Sequence, residues 1–168
     1  AATGALYCFR QRMRIAFAGS THVGQRRTAN EDAFLLLSEE GLFCVADGMG
    51  GHASGEVASR IAVEEMAEFY RLTGHDTEAT WPFAEDRRWS YDENRLLAAM
   101  KLANLRIVER AQADQRLHGM GTTLVCGAFA DEGRLVLLGH VGDSRAYLFR
   151  QGALSQITSD HSLLNDLI

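Results

Sequence analysis

Cysteine is scarce and odd in number: Cys8, Cys44 and Cys126 are the only three in 168 residues, and they lie far apart. That excludes a disulfide framework and indicates reduced thiols in a cytoplasmic protein. No spacing among them resembles a zinc-ligand set. Cys44 and Cys126 fall in apolar, strand-like runs and read as packing residues. No apolar run reaches the roughly 18 residues that cross a membrane. The N-terminus also lacks the charged-then-apolar layout of a secretory signal. Positive charge is not in excess: the formal net charge is −5, which argues against a nucleic-acid footprint and is compatible with gathering divalent cations. Proline occurs once, at Pro82, and there is no internal repeat or low-complexity tract.

What is present is an ordinary globular composition, 46% hydrophobic and 23% charged, sized for one domain with a real core. Residues 1–12, "AATGALYCFRQR", fit no element and read as an extension outside the fold; Met13 opens a natural-looking start. Short apolar or β-forming runs follow at 14–21, 32–38 and 42–46, with Ser38-Glu39-Glu40-Gly41 as a hairpin turn. Two helical patterns come next. Residues 54–72 place Val57, Ala58, Ile61, Ala62, Met66 and Phe69 near one face. Residues 92–117 carry a stripe of Leu96, Met100, Ala103, Ile107 and Ala111. The polar stretch 73–91 connects them. Four further runs, 121–130, 134–142, 145–152 and 154–158, return to β. Strands, two helices, then strands predict an α+β fold with antiparallel sheets and one helical layer beside them.

Five stretches carry chemistry. In "VADGMGG" (45–51) the carboxylate of Asp47 closes an apolar strand and glycines follow. Such an acid suits a hard cation, since Mg²⁺ and Mn²⁺ take oxygen ligands, and Gly48 lets its carbonyl approach an ion closely. A strand–turn–helix corner explains the same residues. In "RRTANED" (26–32), Glu31 and Asp32 are adjacent and point to opposite faces if extended, so their roles are unequal. Arg27 offers a planar fork for phosphate, or a surface salt bridge to the acids. Asp143 in "HVGDSRAY" (140–147) follows an apolar strand as Asp47 does, and a Gly-Asp-Ser turn accounts for it equally. "GMGTT" (119–123) and "TSDHS" (158–162) read as turns.

Taken in order, Arg-x-x-Asn-Glu-Asp, Asp-Gly-Met-Gly-Gly-His, Gly-Met-Gly-Thr-Thr, Gly-Asp-Ser-Arg-x-Tyr and Thr-x-Asp-His-Ser resemble the metal-dependent protein serine/threonine phosphatases (PPM, or type 2C, family), the bacterial branch most of all. The resemblance runs from about residue 14 to the C-terminus. It implies an antiparallel β-sandwich flanked by helices, in four α-β-β-α layers. It implies hydrolysis of phosphoserine and phosphothreonine in proteins by a water that two Mn²⁺ or Mg²⁺ ions activate. Asp47 would bridge the ions, the Gly48 carbonyl would bind one, and Glu31 and Asp32 would hold metal-bound waters. Arg27 would clamp phosphate, and Asp143 matches an acid that helps bind a third, weaker ion. Partners would be phosphorylated proteins, substrates of a cognate serine/threonine kinase or the kinase itself, with neither nucleic acid nor membrane.

Two departures stand out. A histidine that some members carry two residues after the bridging aspartate, as a proposed general acid, is Met49 here. His52 is near in sequence and starts the turn into the helix, which suits a capping residue better than an acid. The family's further metal-binding aspartates, in Ser-Asp-Gly and Asp-Asn segments, have no match; Asp160 and Asp166 stand in other contexts. Residues 13–168 are therefore expected to be the first two-thirds of a phosphatase catalytic domain, incomplete at its C-terminus. The alternative is a catalytically dead truncated phosphatase that binds phosphoproteins.

Overall fold

The computed structural model describes residues 14–50, 54–74 and 81–161; residues 1–12, His52 and Asp166 lie outside them. Strands β1 (Asp32–Leu37) and β2 (Leu42–Met49) come first. Helices α1 (Ser54–Gly74) and α2 (Tyr91–Ala113) follow, then β3 (Gly121–Thr122), β4 (Leu124–Ala130), β5 (Leu135–Val141), β6 (Tyr147–Arg150) and β7 (Ala153–Gln156). All pairings are antiparallel: β1-β2-β4-β5 form one sheet with β3 added to the end of β2, and β6-β7 form a separate hairpin. The α+β class holds. Among the described residues there is one helical layer, with α1 packed on β1 and β2 and α2 on α1 and β5.

The two faces of the sheet differ because side chains alternate along each strand. Leu42, Cys44 and Ala46 of β2, with Leu124, Cys126 and Ala128 of β4, join Ala58, Ala62, Met66, Phe69, Leu96, Ala103 and Ile107 of the helices in one core. This is the helical stripe read from the sequence, and it places both thiols in apolar packing. Burial pushes the Cys44 and Cys126 thiols up to about 12. The opposite face carries Phe34, Val45 and Val136, all exposed, and a cluster in which the Phe17 ring lies 6.0 Å from both Phe43 and Phe129.

That cluster explains one correction. Residues 14–21 have strand composition but are not a strand. Phe17 sits on the open face of β2 and β4, and a Cβ on Gly19 would meet the Phe34 ring at 2.6 Å. The segment therefore lies across the sheet instead of along an edge, where no backbone ladder is within reach. Three boundaries also move. β2 runs past Ala46 to Met49 because β3 pairs with Gly48 and Met49, so Asp47 lies inside the strand and not at its end. The run 121–130 breaks at Thr123 into β3 and β4. The second helix begins at a capping box, Ser90 with Glu93, and stops at Ala113, where Asp114 turns extended (φ −136, ψ 111) and its carboxylate accepts from the Arg116 N–H.

The turn at 38–41 forms as read, with Gly41 at φ 66 and its N–H donating to Ser38 O. It also serves a contact that the sequence does not announce. Arg95 on α2 reaches Glu40 at 3.2 Å, donates to Thr73 Oγ1 and Tyr70 O, and stacks 4.1 Å from the Tyr70 ring centroid. Both charged side chains are nearly buried, at 11% and 14% exposure.

Candidate metal and phosphate site

The β1–β2 register sets Asp32 directly opposite Asp47. Both are on the open face of the sheet, and their carboxyl groups are within hydrogen-bonding reach of each other. Desolvation, then the charge of Asp32 and the hydrogen bond to it, raise the Asp47 carboxyl above the ordinary carboxylate range; Arg27 opposes this and Asp143 adds to it. Like charges placed together in this way favour a bound cation. A cavity of about 320 Å³ opens in front of the pair, lined by Asp32, Asp47, Ser144 and residues of the 20–22 segment.

Thr123 holds Asp47 from behind. Its Oγ1 accepts from the Asp47 N–H at 3.1 Å, and its own N–H donates to Asp47 O at 2.9 Å. Thr123 Oγ1 also shares a 2.6 Å hydrogen bond with Ser144 Oγ, next to Asp143. "GMGTT" is thus more than a turn: its last residue fixes the backbone of Asp47, a role that needs the β2–β4 register and is invisible in sequence.

A second cluster of oxygens lies at the start of α1. Gly48 N–H donates to Glu31 O at 3.1 Å, and Ser59 Oγ donates to the same carbonyl at 2.6 Å. A Cβ on Gly48 would fall 2.1 Å from Gly55 O and 2.6 Å from Glu31 O, so the strand and the helix cross backbone to backbone. A Cβ on Gly55 would lie 3.0 Å from both the Gly48 carbonyl oxygen and Glu31 Oε1. Glu31 therefore faces α1 while Asp32 faces the open sheet, opposite sides as expected of adjacent acids. Gly55 is a position the sequence reading missed. Arg27 donates from one amine to Glu31 Oε2 at 3.1 Å and acts by charge on Asp47, so it stands between the two clusters.

Asp143 follows β5 through Gly142, at φ 97. It is close enough to act on Asp47 by charge, but among the described residues no three His, Cys, Asp or Glu side chains are close enough to hold an ion unaided. Asp160 pairs with Arg145, which ties the chain after β7 to the loop before β6. Met49 is 63% exposed and offers no proton donor. The donors present are oxygens, with carboxylates at one cluster and a carboxylate plus a carbonyl at the other, and this set fits hard divalent ions.

A family profile for protein phosphatase 2C matches residues 18–164. The serine/threonine phosphatase stp of Listeria welshimeri is 36% identical over 151 residues, covering 88% of this chain and 55% of its own length. A crystal structure of the Mycobacterium tuberculosis serine/threonine phosphatase PstP/Ppp superposes with a TM-score of 0.69 at 36% identity, covering 87% of this chain and 55% of that one. The catalytic domain of PstP, solved in complex with two manganese ions, gives 0.66 at 36% identity, with 87% and 56% covered. This chain spans about half the length of the curated stp relatives it matches. The matched span of the family profile takes in every described strand and helix, and the chain belongs to the protein phosphatase 2C family.

Proposed function

We propose that this chain carries part of the catalytic centre of a metal-dependent phosphatase acting on phosphoserine and phosphothreonine in proteins, with residues 13–168 one portion of that catalytic domain. The observation that carries the reading is the pairing of Asp32 with Asp47, beside a second oxygen cluster of Glu31 and Gly48. Asp47 would be shared by the two ions of a dinuclear Mn²⁺ or Mg²⁺ site and the Gly48 carbonyl would bind one of them. Glu31 and Asp32 would hold metal-bound waters, and Asp143 would help bind a third, weaker ion. Such ions, when bound, supply positive charge to a phosphate dianion and acidify water.

The chain's own residues do the rest. Thr123 fixes the Asp47 backbone, so the main chain that carries the carboxylate is already in place. Arg27 has five N–H donors, and its bond to Glu31 uses one; the others are available to a phosphate on the exposed side. The buried, unpaired thiols support a reducing, cytoplasmic setting. The names of the relatives support phosphoproteins as substrates; these would be substrates of a cognate serine/threonine kinase, or the kinase itself.

The test is phosphopeptide hydrolysis by the full chain with added Mn²⁺. Steady turnover that Asp47→Asn abolishes supports catalysis. Saturable phosphopeptide binding without phosphate release supports the second reading, a phosphoprotein-binding module. That reading draws on the lack of a self-sufficient three-ligand group among the described residues.

A further inference from the structure

The cavity in front of Asp32 and Asp47 has one imidazole among its lining side chains, that of His22. Nothing in the motif set points to this residue; the fold delivers it. Phe17 and Gly19 seat the preceding chain on the open face of the sheet. Thr21 Oγ1 then accepts from Asn30 Nδ2 at 2.8 Å, and Asn30 Oδ1 accepts from the Asp32 N–H at 3.1 Å. One asparagine therefore fixes the neighbour of His22 and the backbone of Asp32 together.

The imidazole is also oriented. The Gly24 N–H donates to His22 Nδ1 at 2.9 Å. Nδ1 must supply a lone pair for that bond, so in the neutral ring the proton sits on Nε2. Gly24 reaches the imidazole at φ 80, a turn that favours glycine. Alongside the Ser20 and Thr21 hydroxyls, His22 offers the cavity an oriented N–H donor. Two of its walls are carboxylates, which repel a phosphate dianion, and the Ser144 hydroxyl is engaged with Thr123. Met49 cannot donate, and Arg27 already spends one donor on Glu31.

We propose that the Nε2–H of His22 donates a hydrogen bond to the phosphate group bound beside Asp32 and Asp47, which makes His22 a substrate-contacting residue of this site. The inference rests on the phosphatase reading above. The Gly24 bond holds the ring in the donating tautomer, and the Asn30 bridge holds it over the cavity. A hydrogen bond to a charged group of this kind is worth roughly tenfold in affinity.

The experiment is a titration of the full chain with inorganic phosphate in Mg²⁺, which is diamagnetic, read by ¹H–¹⁵N spectra of the histidine and arginine side chains. His22 is expected to show the Nε2–H tautomer before phosphate is added and to shift saturably as it binds. His22→Ala is expected to weaken phosphate binding about tenfold, with the backbone amide signals of residues 30–32 unchanged. His22→Gln, which keeps an N–H donor, is expected to recover part of the loss. A proton on Nδ1, or phosphate binding that moves the Arg27 signals while leaving His22 and the affinity of His22→Ala unchanged, overturns the role of His22 and leaves the phosphatase reading standing. Phosphate that perturbs neither Arg27 nor His22 overturns both.

Discussion

Asp32 and Asp47 face each other across adjacent antiparallel strands, and the first raises the pKa of the second after desolvation has already done so. A protein gains nothing for its fold by setting two carboxylates in register on an exposed sheet face, since like charges directly opposite are destabilising. The arrangement is explained by what it can bind. It also gives the apo chain a pH dependence of unusual sign.

Because the folded-state pKa of Asp47 is raised, the folded chain holds more protons than the unfolded one between the ordinary value of 3.8 and the higher folded value. Stability falls as pH rises through that window, and the penalty is fully present above it. Asp47→Asn is therefore expected to stabilise the metal-free chain near neutral pH by a few tenths of a kcal/mol. The gain should shrink as pH falls towards 3.8. Thermal melts of both proteins in a chelator check this, and added Mn²⁺ should raise the melting temperature of the parent and not of the variant.

Arg27→Ala should act on substrate binding. Removal of a guanidinium that contacts phosphate costs about 1.5–3 kcal/mol, or roughly 10- to 100-fold in KM, with kcat less affected. Kinetics on a phosphopeptide in saturating Mn²⁺ decide it; an unchanged KM removes Arg27 from the phosphate site.

Gly55→Ala tests the crossing of β2 and α1. The added methyl lies 2.9 Å from the Gly48 carbonyl carbon and 3.0 Å from Glu31 Oε1. Overpacking of this kind costs about 1–3 kcal/mol, and the displaced oxygens belong to the proposed ion site. Metal affinity, followed by calorimetry, should fall by more than the melting temperature alone suggests.

Arg95→Met should be strongly destabilising. It removes the guanidinium that Glu40 faces and that Thr73 and Tyr70 bond. Breaking a buried pair costs about 3–5 kcal/mol. At roughly 2–4 °C per kcal/mol for a chain of this size, the melting temperature should fall by at least about 6 °C.

Cys44 and Cys126 lie opposite each other in the core, with thiols raised to about 12. A thiol reagent at pH 8 should leave both untouched in the folded chain and modify both on unfolding, because only the thiolate reacts.

Much of this was legible from residue order. The apolar spacing of α1 and α2, the 38–41 turn and the run of acid-bearing motifs follow from local periodicity and turn chemistry, and they were enough to find the helices, the family resemblance and Asp47. Residues 14–21 misled because their composition suits a strand, while pairing depends on a free sheet edge, which composition does not encode. The helix end at Ala113 was missed for a similar reason: Asp114 leaves the helix to cap the next turn, and apolar periodicity carries no record of a single extended residue.

The sequence by itself determined which residue types were available to a metal and phosphate chemistry, and in what order. The tertiary structure alone decided which of them meet. Register puts Asp32 with Asp47 and turns Glu31 to the helix. A glycine-to-glycine crossing brings Gly48 to Gly55, and a segment laid across the sheet carries His22 to the acids. Local rules act over a few residues, whereas these meetings depend on strand pairings and packings between residues far apart in the chain.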